Sequence, residues 1–393
     1  EALAACLAGD LAQVRAAAGP WAALPVVVPN PAMRAYVRGE LARHTGMAAN
    51  LRFLFLDGLG RELLGKGEAR ILGAARLQAG LLQALGDRAF LAGPGLDAVR
   101  DYLAGDAGGM KRVQLASELA KLFEEYHHGR PEWIRAWRED RRAPGADPAR
   151  EPWQRALWRR AVACVDAAGA PHETLEEAVR AGRLGKAELP CAFFVFGFSH
   201  VAQAYHAVFR ALGEQPGTEL HLYALNPCAE FWEDLRTERE RAQARPRRDE
   251  ARLGPARLQA APEDPDEDLY RLSLEGPEAL RRWWRPGREN IRLLNEASGC
   301  DFRPAFALPE GDSLLARIQT DILLFKDPEP SSAAPDGSVR FLAAPGPRRE
   351  AEIVATEIWR LMEAHRDDAT PLRFSDIAVI VPPAAQEGYL AHL

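Results

Sequence analysis

What this chain lacks narrows its chemistry. Its 393 residues hold five cysteines, Cys6, Cys164, Cys191, Cys228 and Cys300, and no two fall in a Cys-x-x-Cys spacing. That argues against a zinc or iron–sulfur centre and against a disulfide framework. Scattered thiols suit a reducing cytoplasm. No apolar run approaches the ~20 residues of a membrane-spanning helix, and no secretory segment is legible at the start. No glycine-rich loop ends in Gly-Lys-Ser or Gly-Lys-Thr, the arrangement that cradles phosphates. No Gly-x-Ser-x-Gly elbow presents a nucleophilic serine. His127-His128 and His172-Glu173 lack the spacing of a metal site on one helix face. The acid pairs Glu124-Glu125 and Asp367-Asp368 read as solvated faces rather than acid/base pairs. Basic excess is missing too: Lys and Arg number 50 against 56 Asp and Glu, a net charge of −6. That disfavours a free-standing nucleic-acid binder, although an acidic exterior can enclose a basic channel.

What is present is ordinary for a soluble globular chain, with 47% hydrophobic and 27% charged residues and length for two or three domains. Both ends, Glu1 and the stretch just beyond Val381, read as cut from a longer protein. Leu3, Leu7, Leu11 and Val14 share one helical face, which Gly19-Pro20 ends. Leu24 to Val28 reads as a buried strand. Asn30 can cap the next helix, Pro31 suits its first position, and Met33, Val37 and Leu41 form its apolar stripe. Residues 70–188 read as helical, with Trp133, Trp137, Trp153 and Trp158 at core spacing. Ala192 to Phe196 and Leu220 to Leu225 are expected strands, joined by a helix over Ala202 to Leu212. Eight arginines from Arg236 to Arg257, then acids from Glu263 to Asp268, predict a long surface loop, partly disordered. Val339 to Ala343 and Asp376 to Pro382 are expected as buried strands around a helix carrying Ala351, Val354, Ile358 and Leu361. A helical block inserted into an α/β domain, followed by another α/β unit, is the predicted order.

That order invites comparison with superfamily 1 helicases, whose first strand runs into a phosphate loop. Here the corresponding turn is Pro29-Asn30-Pro31-Ala32-Met33-Arg34, without glycine or lysine and with two prolines that remove N–H donors. The turn expected to carry a magnesium-binding acid pair is Gly197-Phe198-Ser199-His200, without a carboxylate. The later strand ends Val381-Pro382-Pro383-Ala384, without the arginine of an active motor. Asn30 and Gly197 therefore mark a degenerate nucleotide site.

A series of markers runs in order along the chain. Thr45-Gly46-Met47-Ala48-Ala49-Asn50-Leu51 is followed by Leu122-Phe123-Glu124-Glu125-Tyr126 and Arg130-Pro131-Glu132-Trp133. Trp153-Gln154, Leu157-Trp158, Phe196-Gly197-Phe198-Ser199, Asn226-Pro227-Cys228 with Trp232, and Gly287-Arg288 come next. Ile318-Gln319-Thr320-Asp321-Ile322-Leu323 and Pro347-Arg348-Arg349-Glu350-Ala351-Glu352 complete the set. On these residues the whole chain resembles the N-terminal portion of the RecC family, the gamma subunit of exodeoxyribonuclease V. The resemblance implies a RecA-like, superfamily 1 helicase-like α/β fold whose ATP sites have decayed. It implies a first domain over 1–70 and 189–335, with a loop at 236–268. A helical insertion over 71–188 and the start of a second such domain over 336–393 would complete the order.

The resemblance also implies RecB-like and RecD-like partners that use the ATP and magnesium, with no cofactor in this segment. Their complex would bind double-stranded DNA ends, and this chain would guide the unwound 3′ single strand and scan it for a Chi hotspot during recombinational repair. The family's Chi-reading surface carries over to Pro29, Pro31, Ala35, Leu122, Glu124 and Arg130. Pro29, Pro31 and Ala35 replace polar side chains, so the channel can persist while the hotspot differs or goes unread. Independently, Arg34, Arg38 and Arg43 line the helix after the dead turn, and Arg281-Arg282-Trp283-Trp284-Arg285 with Arg288 forms the densest basic and aromatic cluster. From these clusters Arg34, Arg38, Trp284, Arg285 and Arg288 are the expected contacts to a nucleic-acid strand; adjacent Trp283 and Trp284 cannot share a helix face, so at least one belongs to the core. Two alternatives stay open: an AddB-like helicase–nuclease partner, and a protein scaffold that never touches DNA.

Overall fold

The computed structural model describes residues 2–64, 71–106, 108–167, 169, 171–183, 189–233, 235, 277–298, 302–327, 336–382 and 389. The expected loop over 236–268 lies outside them, as do Pro383, Ala384 and Cys300. In chain order the elements are α1 (Ala2–Ala18), β1 (Leu24–Val27), α2 (Pro31–Thr45), β2 (Leu51–Leu54) and α3 (Leu56–Leu64). The helical block comprises α4 (Ala74–Gly86), α5 (Arg88–Leu91), α6 (Asp97–Leu103), α7 (Met110–Gly129), α8 (Pro131–Arg138), α9 (Glu151–Asp166) and α10 (Leu175–Arg180). Then come β3 (Ala192–Phe198), α11 (Gln203–Gly213), β4 (Glu219–Ala224), α12 (Glu278–Trp283), α13 (Arg285–Ser298), α14 (Leu314–Leu323) and α15 (Pro347–Ala364). They fall into two compact units, residues 1–308 with 320–328, and residues 309–319 with 329–393.

In the first unit, four parallel strands stand in the order β2-β1-β3-β4. Strand side chains alternate between faces, so each apolar run feeds two cores. Leu24, Val26, Val28, Phe194 and Phe196 pack on α1 and α2 through Leu7, Leu11, Val37 and Leu41. Val27, Phe193 and Val195 face Leu59, Leu63, Leu175, Val208 and Phe209 on the opposite side. Parallel crossovers are right-handed. The chain steps outward from β1 to β2 on one side and from β3 to β4 on the other, so α2 and α11 cover opposite faces. Winding reverses between β1 and β3. The short strand β2 escaped the sequence reading because Leu51-Arg52-Phe53-Leu54 is only half-buried and lacks a clean alternation.

The helical block has its own core, in which Phe123, Trp137 and Trp158 are fully buried and Trp133 and Trp153 pack around them, as their spacing predicts. Gly80 lets α4 and α9 approach closely: a Cβ there would lie 2.3 Å from the Ala161 carbonyl oxygen. Trp158 Nε1 donates to His127 Nε2 at 2.9 Å, so His127 Nδ1 carries the proton and donates to the Leu72 carbonyl at 3.2 Å. Burial, then the neighbouring His128, pushes the His127 pKa down to about 3.

In the second unit, α15 buries Ala351 alone among its residues. Trp359 meets Phe374 edge-on at 5.7 Å, and Arg340 pairs with Glu357. The expected buried strands do not form here. Residues 339–343 and 376–382 carry no β-ladder, and Phe341 and Ile380 are 95% and 93% exposed. β-Propensity cannot make a strand without a neighbour to take its N–H and C=O groups, and neither segment has one among the described residues.

Gly80→Ala should cost roughly 1–3 kcal/mol in urea unfolding, because backbone cannot yield as a side-chain tip does. The His127 pKa is depressed on folding, so its contribution is complete above the unfolded value of 6.5 and is lost as pH falls from there toward about 3. Stability followed by tryptophan fluorescence should fall between pH 7 and pH 5. His127→Gln should remove up to about 1.4 kcal/mol per pH unit of that slope.

Candidate nucleic-acid interface

In an open parallel sheet, ligands sit at the carboxyl ends of the strands where the winding reverses. That place is the turn after β1 together with the end of β3. Asn30 caps α2, its Oδ1 accepting from Met33 N at 2.8 Å, and Pro31 occupies the first helical position as expected. Of the N–H groups a phosphate would use, one is replaced by the proline ring and another is already taken by Asn30. Gly197 has φ +80°, and a Cβ on it would lie 2.9 Å from Met33 Sδ and 3.0 Å from its Cε. The methionine side chain thus closes the crevice against β3. With no lysine in the turn and no carboxylate in Phe198-Ser199-His200, these residues do not fit a magnesium triphosphate.

The rim of the closed crevice is basic and aromatic. Pro29, Pro31, Arg34, Ala35 and Arg38 are all exposed on α2 or its approach. The Arg34 guanidinium lies 6.0 Å from the centroid of Phe55, which follows β2 and is also exposed. Phe55 was missed from sequence because its strand was missed. Two residues on, Asp57 Oδ1 meets Tyr205 Oη at 3.5 Å, and the Tyr205 ring stacks on His128 at 5.4 Å between centroids. This ladder joins the corner after β2 to α7. Burial raises the Tyr205 pKa, reinforced by the Asp57 carboxylate. Burial also lowers that of His128, against the pull of Glu124 and Asp57.

The residues carried over on α7 divide by role. Glu124 Oε1 accepts from Ala74 N at 2.9 Å and so caps α4, whose N-cap residue, Gly73, has no side chain to do it. Leu122 is half-buried against the block's core. Arg130 is exposed, its guanidinium 4.6 Å over Trp133. The cluster on α12 and α13 also reaches the carboxyl edge. A Cβ on Gly287 would lie 3.6 Å from the Ser199 carbonyl, and Val201 N donates to Asn290 Oδ1 at 3.2 Å. Trp283, Arg282 and Arg285 are exposed there. Trp284, the tryptophan expected to touch a nucleic-acid strand, instead packs with Cys228, Trp232 and Leu280 as the core member of the pair, and Trp283 is the exposed one. Arg288 corrects the sequence reading: it is 5% exposed and donates to the Leu235 carbonyl, which takes it off the surface open to DNA.

Fold and site together define a two-faced parallel α/β protein whose ligand crevice is closed by its own side chain, with a large helical block set between β2 and β3. A sequence model described as "RecC, N-terminal domain" matches residues 1–324. The chain belongs to the RecC family. It is 28% identical over 323 residues to the RecBCD enzyme subunit RecC of Escherichia coli, covering 72% of this chain and 27% of that protein. The Haemophilus influenzae subunit of the same name is 26% identical over 382 residues, 84% of this chain and 33% of that protein. The Mycobacterium tuberculosis subunit is 30% identical over 276 residues, 69% of this chain and 22% of that protein. The chain therefore spans a third or less of the length of these relatives. Among the described residues no helix is long and apolar enough to cross a membrane.

Glu124→Ala should uncap α4 and lower stability by about 1 kcal/mol in urea unfolding. Glu124→Gln keeps an acceptor and should recover most of it; equal losses in the two variants would show that the cap does not matter.

Proposed function

We propose that this chain is the DNA-guiding, non-catalytic front of a RecC-type subunit in an exodeoxyribonuclease V complex, beside RecB-like and RecD-like subunits that hydrolyse ATP. In this reading the unwound 3′ single strand runs over the carboxyl edge of the sheet. Arg34, Arg38 and Arg285 neutralise its phosphates, and Phe55 with Trp283 offers rings for its bases. The observation that carries the reading is the crevice at the winding reversal: Met33 lies against Gly197 there, while the rim keeps exposed arginine and aromatic side chains. The exposed positions Pro29, Pro31 and Ala35 offer no side-chain hydrogen bonds, so the strand is held by charge and stacking there. Any Chi reading would fall to Arg130 and the face around it. Family membership and the relatives' names as RecBCD enzyme subunits support the complex.

The full-length protein should bind a labelled single-stranded oligonucleotide at low salt, lose it as salt rises, and hydrolyse no ATP with or without DNA. Arg34→Ala should lower the slope of log affinity against log salt by about 0.7, the value for one phosphate contact on a single strand. Phe55→Ala should weaken binding by about 1–3 kcal/mol. A protein that ignores the oligonucleotide at low salt is a scaffold, and DNA-stimulated ATPase in the isolated subunit would refute the non-catalytic assignment.

A further inference from the structure

The crevice at the winding reversal is filled from within, by a side chain anchored on both sides. Met33 N is held by Asn30 Oδ1, and its thioether lies on Gly197, where φ +80° and the absence of room both require glycine. The rest of its side chain packs against the core formed by Val28, Val37 and their neighbours. Arg34, the next residue, donates its backbone N–H to the Asn30 carbonyl at 3.1 Å. Its guanidinium reaches Phe55 from the same turn that Met33 joins to Gly197. The Phe55 side is fixed separately, through Val28 N donating to the Leu54 carbonyl at 2.9 Å.

We infer that Met33 is an internal substitute for a bound phosphate: seated on Gly197, it fixes the turn between β1 and α2 and so presets Arg34 beside Phe55 for a nucleic-acid strand, with no nucleotide required. This rests on the nucleic-acid reading of that face. A ligand between strand ends and a helix N-terminus ordinarily immobilises both. A thioether on an unbranched chain is a good permanent replacement, since it adapts to an irregular gap and needs no hydrogen bond. Because the replacement is covalent, the platform stays in one state, and affinity for the strand does not cycle with ATP.

The test uses the full-length protein, a fluorescein-labelled oligothymidylate at low salt, and hydrogen–deuterium exchange over residues 28–36. Met33→Ala should speed exchange there and weaken binding about tenfold, the equivalent of about 1.4 kcal/mol. Met33→Leu, which refills the gap, should behave like the unsubstituted protein. Gly197→Ala should also speed exchange over residues 28–36 and weaken binding, because a Cβ there meets Met33 Sδ and strains the backbone at φ +80°. Exchange in the strands away from this turn should stay as in the unsubstituted protein, which a merely destabilising change would not allow. Unchanged exchange in Met33→Ala overturns the inference whether or not the oligonucleotide binds, as does faster exchange with affinity retained. A wild-type protein that does not bind the oligonucleotide overturns the nucleic-acid reading, and with it the purpose of the wedge.

Discussion

The parallel ladder between β1 and β3 is the seam from which the first unit is organised. Val26 and Val27 stand opposite Phe194 and Val195, and the chain leaves that seam in opposite directions. Right-handed crossovers then force helices onto both faces, which in turn require both faces of every central strand to be apolar. Without that ladder there would be no reversal of winding, no crevice at its carboxyl end and no reason for Met33 to meet Gly197. The apolar runs Leu24 to Val28 and Ala192 to Phe196 are the sequence's record of this constraint.

Function, on this account, follows from what happened at the seam. A sheet of this winding offers a place for an anion at the end of β1, where a helix begins. Here one N–H group is replaced by a proline and another is taken by the asparagine cap, while a thioether lies against Gly197. What survives is the shape around the place: an exposed helix start with Arg34 and Arg38, the corner at Phe55, and α13 laid against the turn at Ser199. The ladder from Asp57 through Tyr205 to His128 joins this edge to the helical block. The two regions are thereby joined through a buried tyrosine. Glu124, half-exposed on α7, uses one carboxylate oxygen to cap α4.

The second unit illustrates a different rule. A helix can satisfy its backbone alone, so α15 forms from its own periodicity. A strand cannot, and the apolar stretches around Phe341 and Ile380 carry no ladder and leave those two residues exposed, although their composition is that of buried β-structure. Composition predicted strands there, and the absence of a ladder partner decided otherwise among the residues described.

Local signals were legible wherever one segment carried them whole. The cap at Asn30 with Pro31, the stop at Gly19-Pro20, the aromatic core of the helical block and the continuous apolar strands all follow from nearest-neighbour chemistry, and the ordered markers identified the family. Tertiary structure alone decided the rest, because each feature needs two distant segments at contact distance. Such are the half-buried strand β2 with Phe55 at its end, the burial of Arg288 against Leu235, the capping of α4 by Glu124, and the meeting of Met33 with Gly197. A sequence determines directly what adjacent residues do to each other; contacts across the fold exist only once the sheet has fixed the distances.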